Sequence, residues 1–133
     1  MTHLPYTDQR VAKNTSPDVN AKIQFDIEKS ICFHRENPHL ISTRLRELDE
    51  EWDIERILET NASSLIVASS ALGFILSKKF FAIPFIVGGF LLQHALQGWC
   101  PPLPILRRMG YRTTNEIQRE RSALQNIPLI QDA

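Results

Sequence analysis

The chain is 133 residues long, one domain's worth, and its 15 basic side chains cancel its 15 acidic ones. That balance argues against nucleic acid as a partner, and the two widely separated cysteines, Cys32 and Cys100, lack the spacing of a disulfide scaffold. The opening stretch MTHLPYTDQRVAKNTSP has no apolar segment behind its charges, so no cleavable secretory signal is expected and any membrane insertion would use an internal segment.

Residues 1–15 are polar and without period and are expected to be a flexible lead-in. Ser16 before Pro17 starts a helix, the serine as cap and the proline at the first helical position, running to about Arg35. Val19, Ile23, Ile27 and Ile31 recur every four positions and need a partner surface. ENPHL repeats the signal: Asn37 caps and Pro38 opens a helix with Ile41, Leu45, Leu48 and Trp52 on one side, and Cys32, His34 and His39 fit no closed zinc spacing. Arg46 with Glu50, and Trp52 with Arg56, stand four apart, where side chains meet. The acidic stretch between them reads as a solvated, salt-bridged helix. Ile54, Ile57 and Leu58 then face roughly opposite to the Leu45, Leu48 and Trp52 stripe. Either the helix breaks near Trp52 and Asp53, or one continuous helix enters surroundings that are apolar all round.

From residue 62 to 99 only Lys78 and Lys79 are charged. ASSLIVASSALGFIL is a first candidate span, about 23 to 27 Å of helix and shorter than a bilayer core, and Phe80 to Trp99 is a second of full length. Only SKK separates them, which implies an antiparallel hairpin. Ser69, Gly73 and Ser77 form a small-residue groove, and Gly88 and Gly89 add a second place for close helix packing. Gln93, His94 and Gln97 form a polar patch before Trp99, read as a packing face, with a metal, a tetrapyrrole or a proton relay at His94 as the functional alternative. Arg44, Arg46, Arg56, Arg107, Arg108, Arg112 and Arg119 on the terminal side, against two lysines at the tip, orient both termini toward the cytoplasm. The competing reading buries the hairpin inside a soluble bundle, yet the flanking amphipathic helices are too few to cover it.

Gly98 and Trp99 precede Cys100, and Pro101 and Pro102 follow, so the helix stops there with a thiol at the membrane boundary. That thiol either fills an interfacial turn or takes sulfur, an oxidant or an acyl chain, with Arg107 and Arg108 as candidate activating cations. ILRRMGYRT suits an anionic membrane surface. Thr113 and Glu116 form a capping box opening a helix to about Gln125, with Ile117 and Leu124 inward.

The hairpin ending in GWCP, followed by ILRRMGYRT and EIQRERSAL, resembles the YgaP-like transmembrane domain family. The likeness covers roughly residues 38 to 125, and its most specific part is residues 98 to 112. It implies a bacterial inner-membrane hairpin that dimerises through its helices, with Gly98, Trp99, Cys100 and Pro101 as the shared element. The family's sometimes-fused rhodanese domain has no counterpart here, so sulfur transfer by this chain alone is not implied.

The expected fold is all-α: cytoplasmic amphipathic helices over 16–60, a transmembrane hairpin over 61–99, an interfacial turn and short helix over 100–126, and a flexible tail over 127–133. The expected function is a non-enzymatic inner-membrane protein without cofactor or metal, resting in the lipid bilayer as a homo-oligomer or an accessory subunit of a larger membrane complex. The alternative is a sulfur-carrying or redox-sensing role for Cys100.

Overall fold

A computed structural model describes residues 3–128. Those residues are helical, with no strand among them: α1 Arg10–Lys13, α2 Pro17–Glu36, α3 Ile41–Glu50, α4 Ile54–Ile75, α5 Ala82–Gln97, α6 Leu103–Arg108 and α7 Thr114–Gln125. Turns of 3₁₀ helix at Pro38–Leu40 and Lys78–Phe81 precede α3 and α5.

The isoleucine stripe of α2 finds its partner in α7. Ile23, Ile27 and Ile31 are buried there with Val19 and Ala123 packed against them. Ile41 and Leu48 of α3 close on Ile117, Leu124 and Ile127. The three helices form a collar, and Ile127 belongs to it, so the ordered packing reaches the first residue of the expected tail; residues 129–133 lie outside the described residues. Half of the capping box forms: the Thr113 hydroxyl accepts from the Glu116 amide, while the Glu116 carboxylate goes to Arg107 instead of back to the Thr113 amide. Ser16 makes no such cap: its backbone is extended and Pro17 takes the first helical position, where the missing amide costs nothing. Asn37 turns its amide back to the Phe33 carbonyl at 2.9 Å instead of capping forward.

The face swap at Trp52 is a break. α3 stops at Glu50, Asp53 caps α4 through the Arg56 amide, and the Arg56 guanidinium lies 4.2 Å from the centre of the Trp52 ring. Trp52 therefore sits half in solvent rather than in the α3 stripe. Arg46 is exposed, and the pair on α3 is Arg44 with Glu47, three residues apart.

The collar is locked by buried ions. Glu120 is fully buried and accepts from Arg44 Nε at 2.9 Å, from Arg112 and from the Ser30 hydroxyl. Arg112 also grips both oxygens of Glu51, and its carbonyl accepts from the Ile54 amide at 2.8 Å, which fixes where α4 begins. Arg107 is 1% exposed and forks onto Glu116 at 2.7 and 3.0 Å, with Thr15 and Asn20 taking further donors. Arg107 and Arg112 thus turn inward, and the membrane-surface character expected of ILRRMGYRT rests on Ile105, Arg108 and Met109, which are exposed. The reason is energetic: a guanidinium taken out of water needs a carboxylate and a full set of acceptors, and Glu116, Glu51 and Glu120 supply them.

The lead-in also differs from expectation. Val11 on α1 is buried with Ile54, Leu58, Cys100, Leu103 and Leu106. Its docking depends on Gly98, which ends α5 in the left-handed conformation (φ +81°); a Cβ there would run into the backbone of Arg10.

α4 and α5 run back to back above the collar. Gly73 is buried and a Cβ on it would lie 2.8 Å from the Phe81 ring, whereas a Cβ on Gly88 or Gly89 meets nothing within 4 Å. The expected small-residue groove therefore serves the hairpin itself at Ser69 and Gly73, while Gly88 and Gly89 leave open space outside it. Ser63, Ser64 and Ser69 donate to carbonyls four residues earlier, so these hydroxyls need no water. The segment Lys78–Gln97 is long and apolar enough to cross a membrane, and 6% of it is buried within the fold.

Gly98→Ala should lower the unfolding midpoint, since the left-handed conformation alone costs a Cβ residue about 1–2 kcal/mol, and α1 should become protease-sensitive. Gly88→Ala, in an open helix interior, should be neutral or mildly stabilising. Equal midpoints for the two variants would refute the close approach of α1.

Glu120 sets an acid limit. Burial would raise its carboxyl, but hydrogen bonds from Arg44, Ser30 and Arg112 outweigh that and hold its pKa below the ordinary 4.5. A lowered folded-state pKa stabilises fully above the unfolded value and is lost as pH falls through the folded one. Glu120→Gln should cost about 1–3 kcal/mol at neutral pH, because the buried Arg112 and the half-buried Arg44 each lose one of two carboxylate partners, and should flatten the fall in stability below about pH 4.5. Urea titrations across that range would test it, and an unchanged acid slope would refute it.

Candidate functional site

Where the hairpin meets the collar, an acid, an imidazole and a thiol come together. Glu55 lies in the first turn of α4 and His94 in the last turn of α5, and the antiparallel helices bring them level. A carboxylate near a helix N-terminus and an imidazole near a C-terminus are each favoured by the local dipole. His94 Nε2 stands 2.8 Å from Glu55 Oε2, and Arg10 Nη2 donates to Glu55 Oε1 at 3.2 Å. Arg10 is itself tied to the Thr7 carbonyl. The short helix α1 thereby sets the orientation of Glu55, and Glu55 sets that of His94.

The carboxylate at Nε2 assigns the ring proton to that nitrogen and leaves Nδ1 as the free end. His94 is 3% exposed, and its Nδ1 has no hydrogen-bond partner. The Cys100 thiol stands beside the ring, without a well-formed hydrogen bond to Nδ1. Cys100 is buried on the other side by Val11, Ile54 and Leu103.

Both groups line a cavity of about 210 Å³ between α4 and α5. Leu58, Ala62 and Leu65 wall it on one side and Val87, Phe90 and Leu91 on the other, with Pro101 and Pro102 across its base. Asn61 is the remaining polar residue on its wall. An imidazole backed by a carboxylate can take a proton from a neighbouring donor and hold the resulting charge, and a thiol next to it is the natural donor.

The structure brings together His94, Cys100 and the Gly98 and Trp99 turn, and does not bring in Gln93 and Gln97 as a polar face. Gln93 is half-buried, and Gln97 contributes its carbonyl, which accepts from Asn14 Nδ2 at 2.7 Å. Pro101 is exposed at the rim. Arg107 is committed to Glu116 and is no neighbour for the thiol; that place belongs to His94. Cys32 and His39 are exposed while His34 is buried with Nδ1 on the Ser30 carbonyl, and among the described residues no His, Cys, Asp and Glu cluster is arranged to hold a metal. Sequence reasoning missed Glu55 and Arg10. The available signal was that a hairpin with a three-residue tip returns the end of α5 to the start of α4, where a lone histidine at the boundary seeks an acid.

No protein-family model matches the chain, and no curated protein or solved structure matches it either.

A bulky, charged thiol reagent should label Cys32 at least about tenfold faster than Cys100 in the folded protein, because burial withholds the second thiol from the reagent. Denaturation should equalise the two rates. Mass-spectrometric counting of adducts checks this, and equal rates in the folded state would place Cys100 outside the buried cluster.

Proposed function

We propose that this chain is a small integral protein of a bacterial inner membrane, a two-span hairpin with both termini cytoplasmic, acting without catalysis by helix-mediated association. Its partner is a second copy or a larger membrane complex. The observation that carries the reading is the naked apolar hairpin. Phe74 and Phe85 are 83% and 84% exposed, and Val67, Ile75, Leu76 and Ile86 are exposed with them. A soluble bundle would bury such a segment, and an exposed patch of this extent marks contact with lipid or protein.

α4 supports a second crossing even though its apolar part is short. The hydroxyls of Ser63, Ser64 and Ser69 are satisfied by its own backbone, as a lipid environment requires. The surplus of arginines below the hairpin supports cytoplasmic termini. That rule counts basic residues on the inserting chain and gives acidic ones little weight, so the later pairing of Arg44, Arg107 and Arg112 does not weaken it. The likeness of GWCP and ILRRMGYRT to the YgaP-like transmembrane domain family supports the same reading. A thiol-dependent role, carrying sulfur or sensing oxidation at Cys100, is the second reading, favoured by the imidazole and carboxylate that stand behind the thiol.

The tagged chain should partition with membranes, require detergent for extraction, and run in native mass spectrometry as a discrete oligomer or with companion proteins. Gly89→Leu should weaken association about tenfold, the loss expected for one close helix contact, without lowering the helix content of the hairpin, since a Cβ at this position meets nothing within 4 Å in the chain. Extraction in plain buffer would overturn the membrane reading, and unchanged assembly in Gly89→Leu would remove that face from the contact.

A further inference from the structure

Cys100 is 4% exposed, is packed on one side by Val11, Ile54 and Leu103, and is among the residues lining the cavity between α4 and α5. Beside it lies a ring with one nitrogen unused. Glu55 stands 2.8 Å from His94 Nε2, and Nδ1, the end toward the thiol, is buried without a partner. A carboxylate, an imidazole and a thiol in series are the parts of an activated sulfur nucleophile: the imidazole takes the proton and the carboxylate holds the ring. Glu55 also borders an open cleft on the collar side with Asp8, Arg10 and Thr114, so the carboxylate meets water while the thiol meets hydrocarbon walls.

We propose that Cys100 is a modification site for small, uncharged electrophiles dissolved in the bilayer, α,β-unsaturated carbonyl compounds by class, with His94 as the base that takes the thiol proton. The cavity selects by polarity and by size. Its walls are aliphatic and aromatic, so an uncharged apolar reagent can enter where a charged one would lose its hydration. At about 210 Å³ it exceeds the ~150 Å³ apolar cavity that holds benzene, so a ring or a short chain fits beside the sulfur. The reaction type follows from the same walls. Exchange with a disulfide or a thioester expels a thiolate, and reduction of a peroxide expels an alkoxide or hydroxide, each an anion released among apolar groups. Addition to an activated double bond expels nothing. The sulfur bonds to the β-carbon, the π pair of the double bond moves onto the carbonyl as an enolate, and the proton held at Nδ1 passes to the α-carbon. The product is a thioether, formed without oxidant, reductant or leaving group. The inference rests on the thiol-dependent reading and names its reagent.

The test uses the full chain carrying Cys32→Ser in phosphatidylcholine nanodiscs, with trans-2-hexenal as the reagent and intact mass as the readout. Every rate is divided by that of N-acetylcysteine under the same conditions. Cys100 should gain the whole mass of one hexenal. N-ethylmaleimide should react at least about tenfold faster, after that division, than a maleimide bearing a sulfonate, because the charged group must leave water to reach the sulfur. His94→Gln should slow hexenal at least about tenfold, the low end of what a positioned base contributes. Ala62→Leu, which fills the cavity, should slow hexenal as well, and both variants should react like the parent in urea. Equal rates for the two maleimides, or an unchanged hexenal rate in a folded His94→Gln, would overturn the site. If that variant does not fold, Ala62→Leu decides, since its full rate would remove the cavity as the route. Faster reaction with cumene hydroperoxide, read as sulfenic acid trapped by dimedone, would keep the thiol reading and overturn the carbonyl class. A Cys100 inert to every reagent until denatured would overturn both.

Discussion

The molecule is organised around guanidinium groups that have been taken out of water and must keep their carboxylates. Glu120 is held between Arg44 and Arg112, Arg112 passes the connection to Glu51, and Arg107 closes on Glu116. Removing ions from water costs several kcal/mol each, and only near-complete hydrogen bonding recovers it. With Ser30 and Asn20 of α2 bonded to Glu120 and Arg107, these contacts join α2, α3, α6 and α7 across long stretches of sequence, and they admit one arrangement of those helices. Interchangeable leucines would admit several.

The hairpin inherits its position from that network. Arg112 supplies the carbonyl that takes the Ile54 amide, and Thr114 donates to Asp53, the cap of α4. α4 therefore leaves the collar at a set place, and α5 returns beside it to end at Gly98 against the backbone of Arg10. The Arg10, Glu55 and His94 chain spans the same seam with the same chemistry, an ion pair at the edge of an apolar region. Below the seam the fold has a core of its own. Above it the two helices touch each other and little else, so their outer faces remain to be covered from outside the chain.

That division gives the site its character. An imidazole in water would be satisfied by solvent, and one deep in a packed core would be paired or excluded. His94 sits where the collar's core ends and the hairpin begins, with a carboxylate on one nitrogen and the Cys100 thiol beside the ring.

Much of this was legible in the sequence, because it depends on local rules. The periodicity of Ile23, Ile27 and Ile31, the helix cap at Thr113, the change of face at Trp52 and the apolar run behind SKK each follow from the geometry of a few neighbouring residues, and each is found in the structure. What the sequence did not determine are the pairings between distant charges. Arg107 and Arg108 are adjacent and identical in type, yet one is buried on Glu116 and the other is exposed. Glu55 looks like any acid at a helix start until α5 returns His94 to it. Which charge goes inside depends on which partner the packed helices bring within about 3 Å, and only the assembled fold fixes that distance.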